Sequence, residues 1–128
     1  MKRTVAIVFV AALAAPLGAQ EKTSPTIARE TAESNAKTPA GRRYASALAS
    51  SLDAWLARAI QRCGKGVSKE EAVSFDVLVQ IGDNGRAEEV LLSPETSVGR
   101  CAREDFQDAK YPFPPQAHWW VRVPIQLR

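Results

Sequence analysis

The chain has 128 residues, of which 45% are hydrophobic, and a formal net charge of +3 at pH 7. Part of this charge lies in the first three residues, because the chain from residue 20 onward carries 15 Lys and Arg against 14 Asp and Glu. A charge so close to zero gives no electrostatic basis for binding nucleic acid or an anionic membrane surface.

Residues 1–19 have the pattern of a secretory signal peptide. Lys2 and Arg3 form a basic start, an apolar stretch covers Val5–Ala15, and small residues end the segment at Ala19. The 16 residues from Thr4 to Ala19 are fewer than the roughly 20 that a spanning helix needs. We therefore expect a cleaved signal and a secreted protein; the alternative is an uncleaved membrane anchor.

A polar segment and then a long helix are expected next. Residues 20–38 hold one large aliphatic side chain, and this composition predicts a disordered leader or linker. The folded domain is expected to cover 39–128. Thr38 and Pro39 are typical of a helix N-cap and first helical position. Helical spacing then gives one apolar face, formed by Leu48, Leu52, Trp55, Leu56, Ala59, Ile60 and Cys63.

After this helix the apolar period changes to two, which predicts β-strands. Residues 73–81 alternate, and the turn Gly82–Gly85 leads into a returning strand over 86–93. Its apolar positions are spaced by three and then two, which predicts a β-bulge near Glu88–Glu89. A second helix should begin near Thr96 or Ser97, with an inner face made of Val98, Cys101, Ala102, Phe106 and Ala109.

The C-terminal residues 119–127 alternate again and predict a third strand, in which Pro124 favours an edge position or a bulge. The element order is thus α-β-β-α-β. It predicts an α+β fold in two layers: a three-stranded antiparallel sheet with two helices on one face.

Cys63 and Cys101 are the two cysteines of the chain. An even count in a secreted chain indicates a disulfide, and both cysteines lie on the inner faces of the predicted helices. A redox motif would need the spacing C-x-x-C, and a zinc site would need more ligands than two thiols and one distant histidine. We therefore predict a Cys63–Cys101 bridge.

His118, Trp120 and Arg122 share the face of the last strand that is opposite to its apolar row. A tryptophan beside an arginine is typical of protein-binding hot spots, so we predict that these three residues contact a partner. The alternative for Trp120 is burial under the leader or the proline loop. No catalytic, cofactor or metal site is expected, because His118 has no recognisable nucleophile or acid beside it in the sequence. The P-x-x-P spacing over 112–115 is interpreted as a loop rather than a groove ligand.

The ordered set of motifs resembles the C-terminal domains of the TonB and TolA proteins, and most closely the cysteine-bearing TonB-like domains of bacterial envelope proteins. The similarity covers residues 45–128. It includes the segment FDVLVQIGDNGRAEEVLLSPET, the helix with Cys101, the turn Phe113–Pro115 and the ending WWVRVPIQL.

This resemblance implies a non-enzymatic periplasmic module. Such domains bind a segment of an envelope or outer-membrane protein by adding it as a strand to the sheet edge. The edges expected to do so are the last strand and the hairpin strand, and pairing of two copies through these edges would give a homodimer. The alternative function is a membrane-anchored TonB-type energy transducer for outer-membrane transport. It would need an uncleaved N-terminus and a long spacer, and the leader of about 19 residues is too short to cross the periplasm.

Overall fold

A computed structural model describes residues 23–127, so the signal peptide predicted for 1–19 lies outside the described residues. In this part of the chain the elements are α1 (Pro25–Ala36), α2 (Pro39–Gly64), β1 (Phe75–Ile81), β2 (Ala87–Ser93), α3 (Ser97–Asp108) and β3 (Trp119–Ile125). The fold class is α+β, as predicted, with an additional helix. None of the helices within residues 23–127 combines the length and the hydropathy that a membrane span requires.

Each of the three helices begins with a side-chain N-cap. The hydroxyls of Ser24, Thr38 and Thr96 each accept a hydrogen bond from the backbone N–H three residues later. Such a cap contributes about 1 kcal/mol to stability. The caps predicted at Thr38 and near Thr96 are confirmed, whereas the Ser24–Pro25 cap was not predicted.

The three strands form one antiparallel sheet in the order β2-β1-β3, so β1 is central and β2 and β3 are edge strands. The β1–β2 turn has Gly85 at φ +76°, a conformation that favours glycine. The register shifts after Gln80, which leaves Glu88 as the extra residue of a bulge. The predicted bulge is therefore confirmed, and Pro124 occupies an edge strand as expected.

The main core lies between one face of this sheet and the helices α2 and α3, which confirms two helices on one face. Leu48 and Leu52 of α2 and Phe106 of α3 are buried in it. Trp55 packs edge-on against Phe106, with ring centroids 5.2 Å apart. The predicted disulfide is present: Cys63 and Cys101 are bonded, with their Cα atoms 5.6 Å apart. It joins the end of α2 to α3.

The opposite face of the sheet is covered by α1. Ala28 and Ala32 pack against a small cluster that contains Leu78, Trp120 and the half-buried Leu91. The disordered leader predicted for 20–38 is therefore wrong for Pro25–Ala36, and the two-layer arrangement is wrong as well, because the sheet lies between α1 and the other two helices. The buried face of α1 consists of small alanines, so its hydrophobic period is weak.

Candidate binding groove at the edge of β3

The connection between α1 and α2 passes around the outer edge of β3. The two helices lie on opposite faces of the sheet, yet only Lys37 and Thr38 separate them in sequence. Beside this connection, a Cβ added to Gly41 would lie 1.8 Å from the carbonyl oxygen of Asn35. The missing side chain at Gly41 therefore permits the close approach of the helices, which form the two walls of a groove along β3.

The groove has a volume of about 450 Å³, and its floor is the edge of β3 from Trp119 to Pro124. The α1 wall is formed by Ala32, Glu33, Asn35 and Ala36. The α2 wall begins at Gly41 and Tyr44 and continues with Ala45, Leu48, Ala49, Leu52, Asp53 and Leu56. Most of these side chains are apolar, and the small alanines leave room for another chain to approach the strand.

Backbone groups of β3 face this groove. In an edge strand, alternate residues direct their N–H and C=O groups away from the neighbouring strand. Pro124 belongs to this outward set, because proline is tolerated in strands where its nitrogen faces away from the ladder. The side chain of Asn35 reaches the carbonyl of Trp120 from α1, which places Trp120 in the same set. Arg122 lies between them and thus directs both its N–H and its C=O outward.

The groove is closed at one end and open at the other. At the closed end, Asn35 Nδ2 donates a hydrogen bond of 3.1 Å to the carbonyl oxygen of Trp120. Nearby, Tyr44 packs edge-on against Trp119 with ring centroids 6.4 Å apart, and its hydroxyl donates to a backbone carbonyl of the loop before β3. Burial raises the pKa of Tyr44 to about 12. The open end is beside Pro124, where no segment of residues 23–127 connects the two helices.

Ion pairs centred on Asp76 of β1 and Arg122 of β3 attach α1 to the face of the sheet that it covers. One carboxylate oxygen of Asp76 lies 3.3 Å from Nε of Arg29 and 3.0 Å from Nε of Arg122. Arg29 also donates a 2.7 Å hydrogen bond to the hydroxyl of Ser93, and Nη1 of Arg122 is 3.9 Å from Glu33. The side chain of Asp76 is only 15% exposed, so solvent screens these pairs less than surface pairs. The charge of Arg122 is therefore directed at Asp76.

The structure brings two of the three predicted partner-binding residues to this groove. Trp120 and Arg122 line it, whereas His118 does not. Trp120 is only 5% exposed, because α1 covers it. The exposed Trp120 is therefore wrong, and the alternative, burial under the segment predicted as a leader, is the one observed. His118 adopts φ 57°, and its Nδ1 is 2.7 Å from Oε1 of Glu88 on the bulge of β2. Contact of these residues with a partner stays a prediction.

Sequence reasoning missed Asn35, Asp53 and the alanines of the α2 wall. Ala45 and Ala49 precede Leu52 and Leu56 at helical spacing, so they widen the apolar face of α2 and could have been included in it. For Asn35 the sequence carries no comparable signal, because its partner Trp120 is 85 residues away.

The ionisable groups near the core have structural partners. Burial, and to a lesser degree the neighbouring Tyr44, raises the pKa of Tyr111 well above its usual value, and the Tyr111 hydroxyl donates to the carbonyl of Phe106. Within residues 23–127, no three His, Cys, Asp or Glu side chains come together in a way that could hold a metal ion. The groove offers backbone hydrogen-bonding groups between apolar walls.

Comparison with known proteins identifies no relative. No family model matches the chain, and no curated protein and no solved structure matches it. The resemblance to TonB and TolA C-terminal domains therefore rests on the sequence motifs alone, and binding by strand addition is a hypothesis.

Proposed function

We propose that this chain is a periplasmic binding module that captures an extended segment of another envelope protein as an added strand on β3. The observation that carries the proposal is the groove with its apolar walls; the alternation of an edge strand, with the Trp120 carbonyl bound by Asn35, directs both backbone groups of Arg122 into it. An exposed strand edge binds an extended chain through main-chain hydrogen bonds, and alternate side chains supply the specificity. The resemblance to TonB and TolA domains supports the same mode of binding.

Of the two edges of the sheet, β3 is the better candidate. The bulge at Glu88 interrupts β2, and a bulge is one of the devices by which proteins protect a sheet edge from pairing. Along β3 the α1 and α2 walls instead form a channel beside the free backbone groups. The β2 edge is therefore the surface against which binding at β3 is compared.

Export of the protein is supported by the Cys63–Cys101 disulfide, because structural disulfides persist in oxidising compartments such as the periplasm and are rare in the cytosol. The competing function of a membrane-anchored transducer requires that residues 1–19 remain attached. Mass spectrometry of the N-terminus of the exported protein distinguishes the two, since cleavage after Ala19 would remove the anchor.

Site-specific photo-crosslinking in the native envelope tests the proposal. A small diazirine amino acid at Ala49 lies in the groove, while the same probe at Ala47 lies on an exposed part of α2 outside it. We expect a crosslinked partner from position 49 but not from position 47. A synthetic copy of the crosslinked segment should then slow hydrogen exchange at the amide of Arg122.

Two results would contradict strand addition. One is equal crosslinking from positions 47 and 49, which would indicate a surface outside the groove. The other is a captured segment that protects amides of β2 but not of β3.

A further inference from the structure

The groove also indicates what kind of segment it binds. Pairing along β3 must be short, because Asn35 already occupies the carbonyl of Trp120 and Pro124 has no N–H to donate. Within residues 23–127, the outward backbone groups left for a partner are the N–H of Trp120, both groups of Arg122 and the carbonyl of Pro124. So few main-chain bonds give little affinity alone, and the side chains of the partner must supply the rest.

The α2 wall determines which apolar side chains of a bound segment fit the groove. Leu48 and Leu52 are buried at its base, and Ala45 and Ala49 are exposed small residues above them. A strand lying on β3 would point every second side chain at this wall. The short side chains of the wall leave space for aliphatic side chains at those positions.

The unpaired charge in the groove is negative. Asp53 lies on the α2 wall, and no cation within residues 23–127 forms an ion pair with it. On the α1 wall, Glu33 is 49% exposed and only 3.9 Å from Arg122, the same arginine that Asp76 holds at 3.0 Å. A positive side chain on the partner is therefore the charge that complements the groove.

We infer that the groove takes a short extended peptide segment whose side chains facing the α2 wall are aliphatic except for one lysine or arginine, which pairs with Asp53. The segment enters at the open end beside Pro124 and stops at the Asn35–Trp120 hydrogen bond. This inference rests on the proposed strand addition at β3 and adds the side-chain chemistry of the partner to it.

The test uses three synthetic hexapeptides with blocked ends, in which valines alternate with threonines and one valine, on the side that faces the α2 wall, is replaced by lysine, glutamine or glutamate. Titration into the isotope-labelled protein, followed by amide chemical shifts, gives both the site and the affinity. We expect shifts at Arg122 with all three peptides and the tightest binding for the lysine peptide. Asp53→Asn should weaken the lysine peptide by about three- to fivefold, as an exposed ion pair would.

The charge reversal Asp53→Lys should invert the preference, so that the glutamate peptide binds best. Asp83→Asn is the matched control, because Asp83 is an exposed carboxylate in the β1–β2 turn, outside the groove. It should leave all three affinities unchanged.

Shifts at Arg122 that do not depend on the peptide charge would overturn the inference and leave strand addition intact. If no peptide shifts the β3 amides at millimolar concentration, strand addition is itself overturned, and the inference with it. If Asp53→Asn and Asp83→Asn weaken the lysine peptide equally, the effect comes from the net charge of the protein and not from an ion pair with Asp53. That result would also overturn the inference.

Discussion

Asn35 of α1 donates its side-chain hydrogen bond to the backbone carbonyl of Trp120 in β3, at 3.1 Å. One outward-facing carbonyl of the edge strand thus accepts a hydrogen bond from a helix that packs across the sheet. Exposed edges invite pairing with other chains, and proteins protect them by covering them or by placing proline in them. Among residues 23–127, Asn35 covers the carbonyl at one end of β3 and Pro124 removes a donor at the other, so the stretch open to pairing is short and centred on Arg122.

Removal of the Asn35 side chain should lengthen the open edge. Asn35→Ala leaves the carbonyl of Trp120 without a protein donor, and we expect a loss of about 1 kcal/mol in the free energy of unfolding. It should also increase self-association through β3, measured by sedimentation at rising protein concentration. Ser34→Ala, at an exposed neighbouring position of α1, should change neither quantity. A variant that stays monomeric and fully stable would show that Asn35 does not protect the edge.

The position of Trp120 under α1 predicts a large effect on stability. Because its ring is buried, Trp120→Ala should lower the free energy of unfolding by about 3–5 kcal/mol, measured by urea denaturation. Phe113 is 76% exposed, and Phe113→Ala should change stability by less than about 0.5 kcal/mol. If Trp120→Ala were as mild as Phe113→Ala, the packing of α1 on the sheet would be contradicted.

The disulfide should contribute strongly to the stability of this small domain. Cys63 and Cys101 are 38 residues apart in sequence, and a closed loop of this length corresponds to about 4 kcal/mol in the chain-entropy description. We expect the double variant with both cysteines replaced by serine to lose stability on this scale in thermal and urea unfolding. The native oxidised protein should show no thiol that reacts with an alkylating reagent. Rapid alkylation of the exported protein, or equal stability of the double variant, would argue against the bridge.

The buried tyrosines predict alkaline destabilisation. Burial raises the pKa of Tyr44 to about 12, whereas an unfolded tyrosine titrates near pH 10. Below about pH 10 both states keep the proton, and stability does not depend on this group. Between about pH 10 and 12 only the unfolded state loses it, so the free energy of unfolding falls as pH rises.

Urea unfolding of the wild type and of Tyr44→Phe between pH 8 and about pH 11 measures this effect. The wild type should lose up to about 1.4 kcal/mol per pH unit for each such tyrosine. Tyr44→Phe should retain only the part due to Tyr111. Identical pH profiles for the two proteins would exclude Tyr44 as the cause.

Most of the elements could be predicted from the sequence, because their periodicity and their boundary residues agree. The alternation of β1, the spacing that produces the bulge at Glu88 and the caps of α2 and α3 all have strong local signals. Helix α1 does not. A helix of 12 residues is marginal on its own in water, and its stability here depends on ion pairs such as Arg29–Asp76, which join residues 47 apart in sequence.

The groove was beyond sequence reasoning for the same reason. Its walls come from two helices whose relative position depends on the contact at Gly41, and its floor comes from the far end of the chain. Arg122 was predicted to bind a partner through its guanidinium beside an exposed Trp120. In the structure its guanidinium contacts Asp76, and its backbone faces the groove.

The adjacent tryptophans Trp119 and Trp120 lie in different layers of the domain, one in the main core and the other beneath α1. Their indoles therefore provide separate intrinsic optical probes. In a protein that keeps Trp120 as its sole tryptophan, a red shift of emission would report the detachment of α1 alone, while a protein that keeps Trp119 would report loosening of the core. The order in which the two layers come apart could then be followed without any attached dye.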